Sequence, residues 1–266
     1  AMFAMDVKRP GMVYAAVKRT PVAGGSLRRV DDSAARAMKG VIDVVKIGPS
    51  SAAGLVGSYS AGDAIAVVAD SYWKAEKALA TLDLEWNTDG KEQVSSASIF
   101  EQFDRDITAG VDRANDVALG DANGAFNGAA TVLTADYRVP YLAHTCMEPP
   151  NATAEVTANH AEVWIGCQNP LGFRQHLAAS LGLDVEQVTL HNYFMGGGFG
   201  RKSNADYALQ AAMIARQVGR PVQLVYSRAE DIKQDFYRPA VQSRFKAGPE
   251  ATKSETGLRY IIETVG

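Results

Sequence analysis

Cysteine is scarce in this 266-residue chain: Cys146 and Cys167 are the two it has. Two thiols cannot build a disulfide framework, and they fall short of the four ligands of a structural zinc site. They are expected to be small buried thiols. Long apolar runs are missing too. No segment approaches the roughly 18 to 20 uninterrupted apolar residues of a membrane helix, so no membrane span is expected. Positive charge is not in excess: 27 basic side chains stand against 30 acidic ones, a net of −3 with neutral histidines. Phosphate backbones are bound by basic stripes, so nucleic acid is not an expected partner. His144, His160, His176 and His191 show no metal-ligand spacing. The opening residues, Ala1 to Asp6, lack the charged start and apolar core of a signal peptide, so the compartment stays open. They run straight into a structured-looking segment, which predicts a piece of something longer.

What is present is 47% hydrophobic and 21% charged residues, enough apolar material for one large domain or two ordinary ones. The glycines and prolines follow no repeat, which excludes solenoid and collagen-like classes. Periodicity predicts a mixed α/β fold. Residues 1–86 read as an α/β domain with strands over 12–17, 41–47, 64–69 and 82–86. A short helix follows the N-cap oxygens of Asp31 to Ser33 and ends at Gly40. Ser71 caps a second, whose buried face is expected to hold Trp73, Leu79 and Leu82. Residues 87–120 read as a linker carrying a helix over 97–107, and 120–128 as a loop. Residues 121–266 read as a second domain. Its predicted strands cover 131–139, 152–156, 161–167, 188–194, 221–226 and 258–265, and its helices 170–181 and 204–218. The tail over 248–255 is polar.

The most informative segment is Met195-Gly196-Gly197-Gly198-Phe199-Gly200-Arg201-Lys202-Ser203, a glycine run between a predicted strand and a predicted helix. Four glycines in five residues let a ligand lie against backbone N–H groups. The positive end of the helix, with Arg201 and Lys202, is expected to favour an anionic group, and the Phe199 ring to wall one side. A dinucleotide fingerprint fails, because Arg201 stands where its third glycine belongs. A P-loop places Lys202 and Ser203 correctly but again meets Arg201 in place of glycine. A nucleotide-binding enzyme using residues 196–203 therefore stays as an alternative, as does a turn that binds nothing.

Neighbouring stretches narrow this. Cys167-Gln168-Asn169-Pro170 and Met195-Gly196-Gly197-Gly198-Phe199-Gly200 together resemble the cofactor-binding core of the xanthine oxidase and aldehyde oxidase family. Pro10-Gly11-Met12-Val13-Tyr14 and Val67-Val68-Ala69-Asp70-Ser71-Tyr72-Trp73 look like its hammerhead domain. Met147-Glu148-Pro149-Pro150-Asn151 and Gly219-Arg220-Pro221-Val222 look like part of its molybdenum-cofactor-binding domain. Cys146 to Pro150 with Gly200-Arg201-Lys202 resembles the bacterial isoquinoline 1-oxidoreductase type of large subunit.

The resemblance implies a molybdenum hydroxylase that uses water-derived oxygen, acts on a small aromatic or aldehyde substrate and passes electrons to [2Fe-2S] clusters in a small iron–sulfur partner subunit. It implies molybdenum-molybdopterin, in the cytosine dinucleotide form of bacterial relatives. Gln168 matches the family glutamine whose amide donates to an oxygen on the metal; the plainer reading is a strand-end residue tied to the Asn169-Pro170 turn. Phe199 and Gly200 match the pair whose N–H groups approach the metal's ligands, Gly197 and Gly198 admit the pterin, and Arg201 adds charge. No residue here is expected to ligate the metal directly. Ser203 stands near the substrate, where purine-oxidising members carry glutamate, which points away from purines. The family's basic glutamate sits in a Gly-x-Gly-Glu segment that this sequence lacks, so the piece alone is expected to be inactive. Glu148 reads as structural rather than as a replacement base. A non-catalytic interaction module of the same fold is a further alternative.

Overall fold

The computed structural model describes residues 2–53, 58–110, 121–127, 129, 131–248 and 260–265. The end of the expected linker, residues 111–120, and nearly all of the polar tail expected over 248–255 lie outside the described residues. The chain forms two units, residues 1–91 with 143–236 and residues 92–142 with 237–266.

In the first unit, seven strands make one mixed sheet. Their order is Val188–Asn192, Ala161–Ile165, Asn151–Val156, Val222–Val225, Val13–Arg19, Ala64–Ala69 and Val41–Ile47. Val13 pairs in parallel with Val222, which joins residues far apart in sequence into one sheet. Ala64–Ala69 is buried along its whole length, as a continuous apolar run demands. Its alternate side chains divide between two cores. Ala64, Ala66 and Val68 face one containing Phe173, Leu177 and Tyr207, from the helices Pro170–Leu181 and Asp206–Val218. Ile65, Val67 and Ala69 face the other, with Ala75, Ala78 and Leu79 from the helix Tyr72–Leu79. The period of two along a strand makes this division.

That second core corrects one expectation. Trp73 is 67% exposed, with Lys77 Nζ 4.7 Å from its ring centroid. Ala75, Ala78 and Leu79 stand three and four residues apart and define the buried stripe, and Trp73 falls about half a turn away from Ala75. Trp73→Ala is therefore expected to change stability by less than about 0.5 kcal/mol. Leu79→Ala should cost about 2–5 kcal/mol, both changes being read by urea unfolding.

The strands Ser26–Asp31 and Asp83–Asn87 pair as a separate ribbon, of which the first is not among the predicted strands. Its Ser-Leu-Arg-Arg-Val-Asp pattern carries little apolar signal. Ion pairs line it instead, Arg28 to Glu85 at 2.9 Å and Arg29 to Asp83 at 2.7 Å.

The second unit holds the helix Ser96–Ala109, opened by a reciprocal Ser95–Ser98 capping box. Tyr260–Val265, Val241–Ala247 and Leu133–Val139 form its antiparallel sheet, in that order. Ala122–Asn127 is a short helix where a loop was expected. Among the described residues no helix is long and apolar enough to cross a membrane.

Candidate functional site

Ala161–Ile165 and Val188–Asn192 are parallel neighbours, so the segments leaving their carboxyl ends emerge together. One carries Gln168 and the other the glycine loop. Asn192 clamps them: its Oδ1 accepts from the Cys167 N–H at 2.9 Å and its Nδ2 donates to the Cys167 carbonyl at 3.2 Å. The Gln168 N–H then donates to the Lys202 carbonyl at 2.9 Å. Asn169 caps the next helix by accepting from the Gly172 N–H at 3.1 Å, with Pro170 in the first turn. Gln168 is thus held between a strand and a helix, and its side chain is exposed toward the loop.

Contact between the two elements is direct. Gln168 Oε1 accepts from the Gly200 N–H at 3.0 Å, which leaves the amide nitrogen of Gln168 without a hydrogen bond among the described residues. Gly200 was expected to offer that N–H to a ligand; it is used inside the fold. Three other donors remain. The N–H groups of Gly197, Gly198 and Phe199 reach no acceptor among the described residues, whereas that of Gly196 meets Glu148 Oε2 at 2.9 Å and that of Arg201 the Gly198 carbonyl at 2.8 Å. Gly197 and Gly200, both at φ +101°, occupy backbone space that side chains disfavour. Phe199 adopts φ +52° and is 74% exposed, its ring edge over Gly197. Strained backbone of this kind gathers at ligand sites.

A third segment shapes the loop from below. His144-Thr145-Cys146-Met147-Glu148 runs against it in the opposite direction, and alternate residues meet alternate glycines. The Glu148 N–H donates to the Gly196 carbonyl at 2.9 Å. Cys146 Sγ donates to the Gly198 carbonyl at 3.3 Å, and His144 Nε2 lies 3.5 Å from where a Cβ on Gly200 would stand. Met147, between Cys146 and Glu148, is 88% exposed. The signal for this alignment in the sequence is the spacing of two between His144, Cys146 and Glu148, set against glycines of the same spacing.

The basic residues are placed differently from expectation. Arg201 is fully buried, its guanidinium donating twice to Asp206 at 2.9 Å. Burial alone would lower its pKa, but Asp206 more than reverses this and the group stays charged. Lys202 Nζ donates to Glu148 Oε2 at 2.7 Å, with Lys202 buried and Glu148 largely so. Neither cation is offered to a ligand, so the loop surface presents neutral donors. The helix also starts later than read, at Asp206, and that carboxylate already occupies its positive end. Ser203 is buried, its hydroxyl turned inward to the Gly200 carbonyl.

Burial raises the pKa of both thiols, Cys167 to about 11, so each is a protonated packing group at neutral pH. Among the described residues no three His, Cys, Asp or Glu side chains are grouped to hold a bare ion. Glu148 behaves as a structural acid. Burial pushes its pKa up, while Lys202, the Gly196 N–H and Asn151 together bring it below its ordinary 4.5. A depressed carboxylate adds stability above its unfolded pKa and loses it as pH falls through the folded one. The stability deficit of Glu148→Gln should accordingly be largest near neutrality and shrink below pH 4.5, as read by urea unfolding at stepped pH. A deficit that stays constant down to acid pH would contradict this.

The family model described as molybdopterin cofactor-binding domain matches residues 103–262. The isoquinoline 1-oxidoreductase subunit beta of Brevundimonas diminuta is 30% identical, over 98% of this chain and 33% of that protein. A protein of Gluconacetobacter polyoxogenes, named membrane-bound aldehyde dehydrogenase [pyrroloquinoline-quinone], is 31% identical with the same coverage. The chain therefore spans about a third of the length of these curated relatives. Among solved structures, quinoline 2-oxidoreductase from Pseudomonas putida 86 superposes with a TM-score of 0.68 at 20% identity, over 92% of this chain and 35% of that one. The mixed α/β fold is thus shared with that oxidoreductase.

Proposed function

Because the chain belongs to the molybdopterin cofactor-binding family, we propose that residues 168 and 197–200 form one wall of the cradle for a molybdenum cofactor in a hydroxylase. The observation that carries this is the row of N–H groups on Gly197, Gly198 and Phe199 that meet no acceptor among the described residues, beside the open amide of Gln168. The donor set fits the group. Neutral N–H donors suit oxygen-rich, anionic ligands and bring no proton equilibrium of their own. A metal that arrives ligated within its cofactor needs no cluster of protein ligands.

When bound, the cofactor supplies two-electron oxidation that places water-derived oxygen on carbon. The chain's own residues hold and orient. Gln168 donates its amide hydrogens toward the oxygen edge, fixed in place by the Gly200 N–H on its carbonyl. Gly197 and Gly198 give close access, and Phe199 covers the outer side. Arg201 acts from beneath, holding the loop's end through Asp206. The substrate class is a small aromatic N-heterocycle or an aldehyde, in keeping with the names of the relatives; Ser203, expected near the substrate, is buried and turned to the Gly200 carbonyl, so it adds no support. The cytosine dinucleotide form of the pterin and a small iron–sulfur partner subunit belong to the same reading. The chain alone, without a Gly-x-Gly-Glu segment, does not turn over.

The test is the composition of the protein purified, with whatever copurifies, from cells that make the cofactor. Molybdenum and pterin near one per chain are expected. Pyrroloquinoline quinone in their place would favour the chemistry named for the Gluconacetobacter relative. Stabilisation by added nucleotides, with no molybdenum, would favour a nucleotide-binding enzyme. Absence of every prosthetic group and of nucleotide binding would leave an interaction module.

A further inference from the structure

Of the three side chains beneath the loop, one has an unused polar atom. Glu148 accepts from Lys202, Gly196 and Asn151, and Cys146 donates to Gly198. His144 is held from behind: Nδ1 lies 2.9 Å and 3.1 Å from the two oxygens of Asp235, and its own N–H donates to the same carboxylate. A carboxylate on Nδ1 keeps the proton on that nitrogen, so in the neutral ring Nε2 carries the lone pair. Nε2 makes no hydrogen bond among the described residues and faces Gly200, whose own N–H is committed to Gln168. The side chain is only 16% exposed, so the ring has little access to bulk water in exchange for a partner.

The geometry points to His144 as a ligand-contacting residue, its Nε2 accepting a hydrogen bond from an N–H or O–H of the group held over Gly197–Gly200. This rests on the proposed function and names a contact within it. Among side chains at the loop, the amide nitrogen of Gln168 is a donor, and the N–H groups of Gly197, Gly198 and Phe199 stand beside it. An acceptor at the end of a row of donors selects a ligand that carries an oxygen edge and at least one N–H or O–H. A pyrimidine-type ring with lactam and amino groups, as in a pterin, has both. Asp235 is a positioning residue: it fixes the imidazole and also lies 3.4 Å from Arg201 Nε, tying His144 and the loop to one carboxylate.

The test compares His144→Phe, which keeps a ring and removes the acceptor, with His144→Gln, whose amide oxygen can restore it. Each is made in the full-length protein and purified with its copurifying subunits from cofactor-producing cells. Bound pterin is measured by the fluorescence of its oxidised form after dialysis, and folding by the unfolding midpoint. His144→Phe should lose roughly tenfold in retained pterin, the order expected for one hydrogen bond to a buried polar group, with a midpoint lowered by several degrees because Asp235 loses its Nδ1 partner. His144→Gln should keep most of it. Wild-type retention in His144→Phe overturns the contact, and so does equal loss in both variants, whatever the midpoint. A wild-type protein that carries no pterin removes the reading beneath it, and that result is seen without any variant.

Discussion

Asp206→Asn should destabilise the first unit by about 3–5 kcal/mol, the range for an uncompensated buried charge. Arg201 donates to this carboxylate twice at 2.9 Å and Arg19 once at 3.1 Å, all three side chains being buried. The asparagine keeps the shape and removes the charge that two guanidiniums share. Asp235, 3.4 Å from Arg201 Nε, offsets part of the loss, and the rings of Phe236 and Tyr207 lie 4.9 Å and 5.8 Å from the guanidinium carbon. Exposure decides the contrast with a surface pair of similar geometry. Lys74 and Asp70 are 2.7 Å apart but 40% and 52% exposed, so Lys74→Ala should change stability by less than about 1 kcal/mol. In thermal unfolding the first variant should melt roughly 10 °C lower, while the second stays near wild type. Equal shifts in the two would mean that solvent reaches the Arg201 site and that the loop is not anchored as described.

That anchor explains why the glycine run keeps a defined shape. Glycine lowers the cost of strained backbone but fixes nothing itself. The order comes from what surrounds the run: Arg201 on Asp206 after it, Lys202 on Glu148 beneath it, and Asn192 joining the strand before it to Gln168. Polar groups inside the fold consume the charges, and the donors left at the surface are uncharged.

The strands Val41–Ile47 and Ala64–Ala69 and the helix Pro170–Leu181 were legible to the residue, because β-branched runs and a capped apolar periodicity are local properties. Ser26–Asp31 and Val241–Ala247 were not, since their pairing depends on partner strands rather than on apolar pattern. The parallel pairing of Val13 with Val222 bridges more than two hundred residues, so units discontinuous along the chain are invisible to a reading made in order. In the site, resemblance brought Gln168 and the glycine loop together, and the coordinates place them 3.0 Å apart. Its charge was misjudged for a simple reason. Arg201 and Lys202 next to glycines look like exposed cations until Asp206 and Glu148 are seen to bury them. The alternating contacts of His144, Cys146 and Glu148 need two segments about fifty residues apart to be aligned, and composition carries no trace of that.

Gly198→Ala should empty the proposed cradle, cutting retained pterin about 10- to 100-fold, as loss of an orienting hydrogen-bond partner does at cofactor sites. A Cβ at this position would stand 2.8 Å from Gln168 Oε1, 2.9 Å from its Cδ and 3.3 Å from its Cγ. Gly198 does not occupy the left-handed region, so alanine is not excluded by its backbone and the conflict lies with one flexible side chain. Gln168 must swing away. The Gly200 N–H then loses its acceptor, and the amide leaves its place beside the free N–H groups. Because a surface side chain can yield without moving the core, stability should fall by no more than about 1–2 kcal/mol. Gly48→Ala is the control: nothing lies within 4 Å of its Cβ position, so pterin retention should not change. A double variant identifies the cause. If the alanine acts by displacing Gln168, then Gly198→Ala with Gln168→Ala retains as much pterin as Gln168→Ala alone, since the second change removes what the first disturbs. Losses that simply add would show that Gly198 serves the ligand independently of Gln168, and the joint role assigned to the two would fail.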